Sequence, residues 1–125
     1  MYEIAGMGRL KTLLIGLAFF VSATWATISL ADTVIVKYRG PVDLAPFECH
    51  DITRSSFVNR VCYHEANAYM VIKLRNTYYH YCEIDPPTVA TLLSANSMGR
   101  YYNANIKSSS NNRRFDCQTH RVPEY

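Results

Sequence analysis

The sequence lacks the short motifs that mark several common enzyme and metal-site classes. It contains no glycine-rich phosphate loop, no Gly-x-Ser-x-Gly turn and no His-Glu-x-x-His helix. It also has neither a Cys-x-x-Cys nor a His-x-x-x-His pair, and it shows no internal repeat. The sequence therefore carries no signature of a P-loop nucleotide hydrolase, an α/β-hydrolase, a zinc peptidase or a zinc finger.

Charge is also scarce and nearly balanced. Charged residues make up 18% of the chain, and 13 Lys and Arg against 10 Asp and Glu give a formal net charge of +3. So small an excess does not by itself indicate a nucleic-acid or membrane partner. We expect no cofactor.

Candidate catalytic groups are few. Ser55 and Ser56 with His80 and Asp51 contain the residue types of a hydrolase triad. Their spacing along the chain gives no geometry for such a triad, and the two serines are equally suited to the start of a strand. A small hydrolase is therefore an alternative, and we expect a protein that is not an enzyme.

One long apolar run is present, close to the first residue. The run over residues 13–26 follows two basic residues and precedes the small residues Ser29 and Ala31. A basic start, an apolar middle and small residues before the cut are typical of a secretory signal peptide. We expect residues 1–31 to be removed, with an uncleaved membrane anchor as the alternative. The mature chain, residues 32–125, is then periplasmic or secreted in a bacterium and has no membrane span.

All four cysteines, Cys49, Cys62, Cys82 and Cys117, lie after that segment. An even count behind an export signal predicts two disulfides, because the compartment is oxidising and a small core gains from cross-links. Each cysteine also has a histidine within three residues. A zinc site built from thiolate and imidazole ligands is therefore the alternative, and we expect no metal.

The mature chain predicts an α+β fold: a small antiparallel β-meander of about three to four strands packed on one helix, with disulfide-pinned terminal extensions. Apolar and β-branched patterns predict strands at 34–38, 55–63, 69–74 and 77–83, and residues 42–52 read as a loop.

The helix signal is the strongest local one. Asp85 can cap the helix and Pro86 suits its first position, while Gly99 is the expected stop. Residues 101–106 then follow as a short closing segment. The predicted organisation is an N-terminal extension with a short strand at 32–54, a domain at 55–107, and a flexible loop and tail at 108–125.

Counting residues across the turns predicts the strand register. If Leu74 faces Thr77 across a tight turn, then Tyr81 faces Met70, and a similar count sets Val61 beside Met70. The side chains that then share the helix-covered face are Val61, Met70, Ile72, Tyr79 and Tyr81.

Cys62 and Cys82 fall on the opposite face, on either side of Tyr69. Their backbones lie two strand spacings of about 4.8 Å apart, which is too far for a direct disulfide. Each must therefore pair with Cys49 or Cys117, which pins the terminal segments over the open face. We expect Cys49–Cys62 with Cys82–Cys117, which join each terminal segment to the nearer strand; Cys49–Cys82 with Cys62–Cys117 is the alternative.

A run of motifs over residues 55–107 resembles the KTSC domain, named after the C-terminus of some lysyl-tRNA synthetases and also found alone in small bacterial proteins. Ser55-Ser56 lead to Val61-Cys62-Tyr63, and Ile84-Asp85-Pro86 lead to Val89 and Leu92-Leu93. The family's central Tyr-x-Tyr and closing Ser-x-Gly-x-Tyr-Phe-Asn motifs are matched by Tyr79, Tyr81, Ser97, Gly99, Tyr101, Tyr102 and Asn103. The resemblance implies RNA binding as a suggested role. The export signal, the four cysteines and both extensions depart from the family.

Together these features predict a non-enzymatic binding or interaction module of the bacterial envelope. RNA or nucleic-acid binding is the alternative drawn from the family, and export disfavours it. We expect the partner to be an anionic polymer or an envelope protein. The candidate binding residues are aromatic or basic and are expected to be exposed: Tyr69, Tyr78, Arg100, Tyr101, Tyr102, Lys107, Arg113 and Arg114. Tyr79 and Tyr81 are expected to pack in the core.

Overall fold

The computed structural model describes residues 18–24 and 32–125. Residues 18–24 have no regular secondary structure, and the predicted cleavage point at Ala31 lies outside the described residues. In the part of the chain that is described, no helix is long and apolar enough to cross a membrane.

One six-stranded mixed sheet forms the centre of the fold, with strand order β2-β1-β6-β5-β4-β3. Its strands are β1 (Thr33–Val36), β2 (Gly40–Asp43), β3 (Glu48–Asp51), β4 (Val58–His64), β5 (Tyr69–Leu74) and β6 (Thr77–Tyr81). Neighbouring strands are antiparallel except β1 and β6, which meet in parallel at Val36 and Tyr78. The α+β class is confirmed, whereas the expected count of three to four strands is too low.

The predicted register of the central meander is confirmed between β5 and β6. Leu74 faces Thr77 and Met70 faces Tyr81. Between β4 and β5 the count is wrong by two residues, because Val61 faces Ile72 rather than Met70. Since side chains alternate with a period of two, a shift of two residues leaves Val61 on the predicted face.

The segment predicted as a loop, residues 42–52, contains the end of β2 and all of β3. These strands have only four residues each and contain no clear alternation, so periodicity could not reveal them. Pro41 fits because β2 is an edge strand, where a missing N–H leaves no gap in the ladder. Residues 32–54 thus hold three strands rather than one.

Two helices, not one, cover the same face of the sheet. Asp85 caps α1 (Pro86–Ser94) by accepting a hydrogen bond from the Thr88 N–H, as its sequence predicts. The chain then starts α2 (Met98–Asn105), whose cap is Ser97. Gly99 was expected to end the first helix, but it lies in the first turn of the second, and the predicted closing segment is helical.

The sheet separates two apolar cores. The helix-side core contains Val61, Met70, Ile72 and Tyr81 together with buried residues of both helices. The tail-side core lies on the opposite face and includes Cys62, Tyr69, Val71 and Cys82. This division of β4, β5 and β6 side chains between the two faces is the predicted one.

Both expected disulfides are present. Cys49–Cys62 joins facing residues of β3 and β4, and Cys82–Cys117 ties the C-terminal tail to the end of β6. The tail lies over the tail-side core and packs Val122 and Tyr125 against it. The N-terminal disulfide lies at the sheet edge rather than over the face, because β3 extends the sheet.

The N-terminal segment reaches both edges of the central meander. The β1–β2 hairpin lies beside β6, while β3 lies beside β4 at the other side. Between them the chain crosses the tail-side face, where Leu44 and Phe47 are buried. One stretch of chain thereby covers two edges and part of one face.

Candidate binding groove

A groove of about 530 Å³ opens on the helix side of the sheet, beside α2. We call it the motif groove, because the Tyr-x-Tyr pair and the closing motif both contribute to its wall. Its lining residues are Phe57, Leu74, Arg75, Tyr79, Tyr81, Tyr102, Asn103, Lys107, Ser108 and Ser109. Its size lies in the range of about 300–1,000 Å³ that is usual for small-molecule sites.

Two buried tyrosines form the inner wall of the groove. The Tyr81 and Tyr102 hydroxyls form a hydrogen bond, and the two rings meet edge to face with centroids 6.0 Å apart. Burial raises the pKa of both phenols, and the hydrogen bond to Tyr102 raises that of Tyr81 further. Both groups are therefore neutral and offer hydroxyl hydrogen-bonding capacity rather than charge. The expectation that Tyr102 is an exposed contact is wrong.

Tyr79 is half-buried and lies at the rim. It packs against the helix-side core, and the Lys37 ammonium lies 5.7 Å from the centre of its ring. Tyr81 is 7% exposed, as expected for a core residue, whereas Tyr79 retains an accessible part. Of the Tyr-x-Tyr motif, Tyr81 therefore packs in the core, whereas Tyr79 contributes accessible surface.

Gly99 allows Phe57 to approach α2. A Cβ built at Gly99 would lie 2.5 Å from Phe57 Cε1 and 2.9 Å from its Cζ. The Phe57 ring in turn meets Tyr102 edge to face at 6.2 Å. The glycine of the closing motif therefore leaves room for the Phe57 ring, which a side chain at this position would displace.

Two exposed cations flank the groove. Arg75 lies in the β5–β6 turn with its guanidinium 5.9 Å from the centre of the Phe57 ring, and Lys107 follows α2. The described residues place no carboxylate in the lining of the groove. The groove is therefore suited to an anionic group held beside aromatic walls.

A second cavity of about 400 Å³, which we call the serine cleft, lies on the other side of Phe57. Ser55, Ser56, Ser97 and Arg100 line it, and Ser55 Oγ accepts hydrogen bonds from the N–H groups of Phe57 and Val58. Arg54 also lines this cleft and donates to the Leu93 and Ala95 carbonyls at the end of α1.

A third cavity of about 140 Å³, the tail cleft, lies on the other side of Tyr79. Lys37 and the 83% exposed Tyr38 form its outer wall, and Asp116 forms part of its inner wall. Partial burial alone would raise the pKa of Asp116. Hydrogen bonds from the Gln118 N–H and from Arg113 outweigh this effect and lower the pKa. Asp116 is therefore ionised and already paired.

Tyr69 is fully buried, so the expectation that it is an exposed contact is wrong. Its hydroxyl accepts a hydrogen bond from Arg39 (3.2 Å) and lies 2.7 Å from His80 Nδ1, while its ring stacks on Tyr125 at 5.5 Å. Burial raises the pKa of Tyr69 to about 12 and lowers that of His80 below 6.5, and Arg39 lowers the latter further. These contacts hold the C-terminal tail against the sheet, and we call Arg39, Tyr69, His80 and Tyr125 the tail anchor.

The expected basic aromatic patch is not one surface. Tyr78 packs against the tail-side core, and Tyr101 packs against the helix-side core. Arg113 pairs with Asp116 at 2.8 Å, and the Arg114 guanidinium lies 5.0 Å from the Phe115 ring. Of the expected cations, Lys107 lines the motif groove and Arg100 lines the serine cleft.

The candidate hydrolase residues have separate hydrogen-bond partners. Ser55 serves the turn before β4, His80 faces Tyr69, and Asp51 pairs with Arg60 at 3.3 Å. Ser56 lines the serine cleft. All four cysteines are in disulfides, so no thiolate is left for zinc, and the described residues contain no cluster of three or more metal-binding side chains.

Sequence reasoning missed Phe57, Arg75, Lys37 and Tyr38. Phe57 lies inside the predicted strand at 55–63 but precedes β4 in the structure, and Arg75 lies in the predicted tight turn between Leu74 and Thr77. Lys37 and Tyr38 follow a strand whose place beside β6 depends on a parallel contact with no local signal. The positive φ of 69° at Tyr38 marks the turn that projects its ring outward.

Comparison with known proteins agrees with the sequence resemblance. No curated protein matches the chain. The family model for the KTSC domain matches residues 54–109, from the turn before β4 to just beyond α2, and this segment includes all ten groove-lining residues. Residues 54–109 therefore match the KTSC domain family, as the motifs of the sequence indicated.

Proposed function

We propose that this chain is a non-enzymatic binding module of the bacterial envelope that holds an anionic ligand in the motif groove. The observation that carries the proposal is the composition of the groove. Aromatic side chains and neutral hydroxyls form its walls, Arg75 and Lys107 lie at its rim, and no carboxylate lines it among the described residues. Such a site attracts negative charge and offers apolar surface beside it.

The two disulfides support the envelope as the place of action, because disulfides persist in oxidising compartments. If the signal-peptide prediction is right, mass spectrometry of the protein from bacterial periplasm or medium will find a chain that begins at Asp32 with no free thiol. A full-length chain in the membrane fraction would contradict this part of the proposal.

Binding is tested with three anionic polymers: heparin, poly-glutamate and single-stranded RNA. We expect the oxidised protein to retain at least one of them, with an affinity that falls as salt is raised, because exposed charges are screened. Arg75→Gln and Lys107→Gln should each weaken binding by about two- to fivefold, the effect of one exposed charge pair.

Arg121→Gln is the matched control, because Arg121 is exposed and lines a different cavity. It should bind like the unchanged protein. Equal losses in all three variants would indicate only a general charge effect, and failure to bind any of the polymers would refute the proposal. Tight binding of RNA alone would favour the role suggested for the family.

A further inference from the structure

The three cavities share lining residues, and the tail cleft lies where Tyr79 and Tyr81 of the helix-side core approach Cys117 of the tail-side core. Tyr79 and Tyr81 line both the motif groove and the tail cleft. Phe57 and Asn103 line both the motif groove and the serine cleft. The surface thus forms one run from Tyr38 at one end to Arg100 at the other, which we call the track.

Positive charge is distributed along the whole track. Among the described residues that line it, the cations are Lys37, Arg54, Arg75, Arg100 and Lys107, and the one carboxylate is Asp116. Asp116 is paired with Arg113, so it does not neutralise the track. Arg100 lines the serine cleft and Lys107 lines the motif groove, so these two cations lie in different cavities.

The polar groups and rings of the track favour sugars over bases. Nucleic acids bound as single strands need several accessible rings for stacking. Here Tyr81 and Tyr102 are buried, and Tyr38 at one end is the ring with large exposure. Hydroxyl and amide groups line the rest, as in Ser55, Ser97 and Asn103, and these can bond the hydroxyls of a glycan.

We propose that the track holds an extended acidic polysaccharide, whose carboxylates meet the distributed cations and whose sugar rings occupy the three cavities in succession. This inference rests on the proposed function and specifies the ligand class of the same site. The volumes of about 530 and 400 Å³ in the two larger cavities give room for more than one sugar ring.

A length series of oligogalacturonates tests the proposal. Calorimetry with the oxidised protein should show an affinity that rises from the disaccharide as longer chains reach the outer cavities. The rise should stop when the track is full. RNA oligonucleotides of equal charge, measured at the same salt, should bind less tightly.

Variants at the two ends separate this proposal from the previous one. Lys37→Gln and Arg100→Gln should each weaken binding of the longest oligogalacturonate by about two- to fivefold and leave the disaccharide unaffected. Lys107→Gln should weaken both. Lys73→Gln is the matched control, because Lys73 lies over Tyr78 on the opposite face of the sheet.

Each result has a defined reading. Binding that does not depend on chain length and is unaffected by Lys37→Gln and Arg100→Gln would overturn the extended track while keeping the motif groove. Equal or tighter binding of RNA would overturn the polysaccharide. Loss of all binding, with a folded protein by circular dichroism, would overturn both proposals.

Discussion

Tyr81 shows how one residue serves both the core and the groove. Its ring is buried under the helices, and its hydroxyl bonds that of Tyr102. Tyr81→Ala should lower the free energy of unfolding by about 3–5 kcal/mol, because it removes a large packed ring. Tyr81→Phe keeps the ring and should cost about 1 kcal/mol. Urea unfolding of the two variants measures the difference. An unchanged free energy of unfolding in Tyr81→Ala would show that this ring is not part of the core.

His80 makes the tail anchor sensitive to acid. His80 Nδ1 lies 2.7 Å from the Tyr69 hydroxyl, and burial together with the nearby Arg39 charge disfavours protonation of the His80 ring. The folded pKa lies below 6.5, so the unfolded chain takes up the proton first as the pH falls. The contribution of His80 to stability is therefore present above its ordinary pKa of 6.5. It should be lost as the pH drops through the lower pKa of the folded state.

Melting temperatures between about pH 7 and pH 5 test this sign. His80→Asn retains an acceptor oxygen without a titrating ring and should flatten the decline. His50→Asn, at the opposite edge of the sheet, should leave it unchanged. Asp116, whose charge opposes the lowering of the His80 pKa, is kept in all variants. A stability that rises toward pH 5 would contradict the prediction.

At the scale of elements, α2 depends on a glycine in its first turn. Gly→Ala in a helix normally gains about 1 kcal/mol, but here the new Cβ would collide with Phe57. We expect Gly99→Ala to lower stability by about 1–3 kcal/mol. Combining it with Phe57→Leu should recover part of the loss in a double-mutant cycle. If Gly99→Ala is stabilising, the close approach is not required.

The elements that could be predicted are those with a local period. Alternation over Tyr69–Leu74 and the Asp85-Pro86 cap were sufficient for the β5–β6 register, the faces of the central strands and the start of α1. Gly99 was misread because a glycine after an apolar stripe is the usual helix stop, whereas here its size decides. β2 and β3 were missed because four-residue strands gain their stability from neighbours far along the chain.

The groove was only partly predictable for the same reason. Tyr79, Tyr102 and Lys107 were singled out, but their common location depends on α2, which was expected to be a closing segment. Arg75 reaches the groove because the β5–β6 turn passes beside Phe57, where the Arg75 N–H donates to the Phe57 carbonyl at 2.7 Å. No spacing in the sequence indicates that contact.

For the whole molecule, the two disulfides should contribute unequally. Cys82 and Cys117 are 35 residues apart, while Cys49 and Cys62 are 13 apart and already joined by paired strands. Replacing Cys82 and Cys117 by Ala should cost about 1 kcal/mol more than replacing Cys49 and Cys62 by Ala, because the longer loop restrains the unfolded chain more. Denaturant unfolding of the two double variants makes the comparison, and a larger loss at Cys49–Cys62 would contradict it.

The path of the N-terminal segment has a consequence for where the folding unit ends. A strand edge with unpaired N–H and C=O groups is a template for pairing with another molecule, and proteins usually block such edges. A chain reduced to residues 54–109 would expose β4 and β6 as open edges and uncover the apolar face around Tyr69. It would be prone to edge-to-edge aggregation. Because residues 33–51 pair with both of these edges, we expect a chain reduced to residues 54–109 to self-associate where the full chain does not.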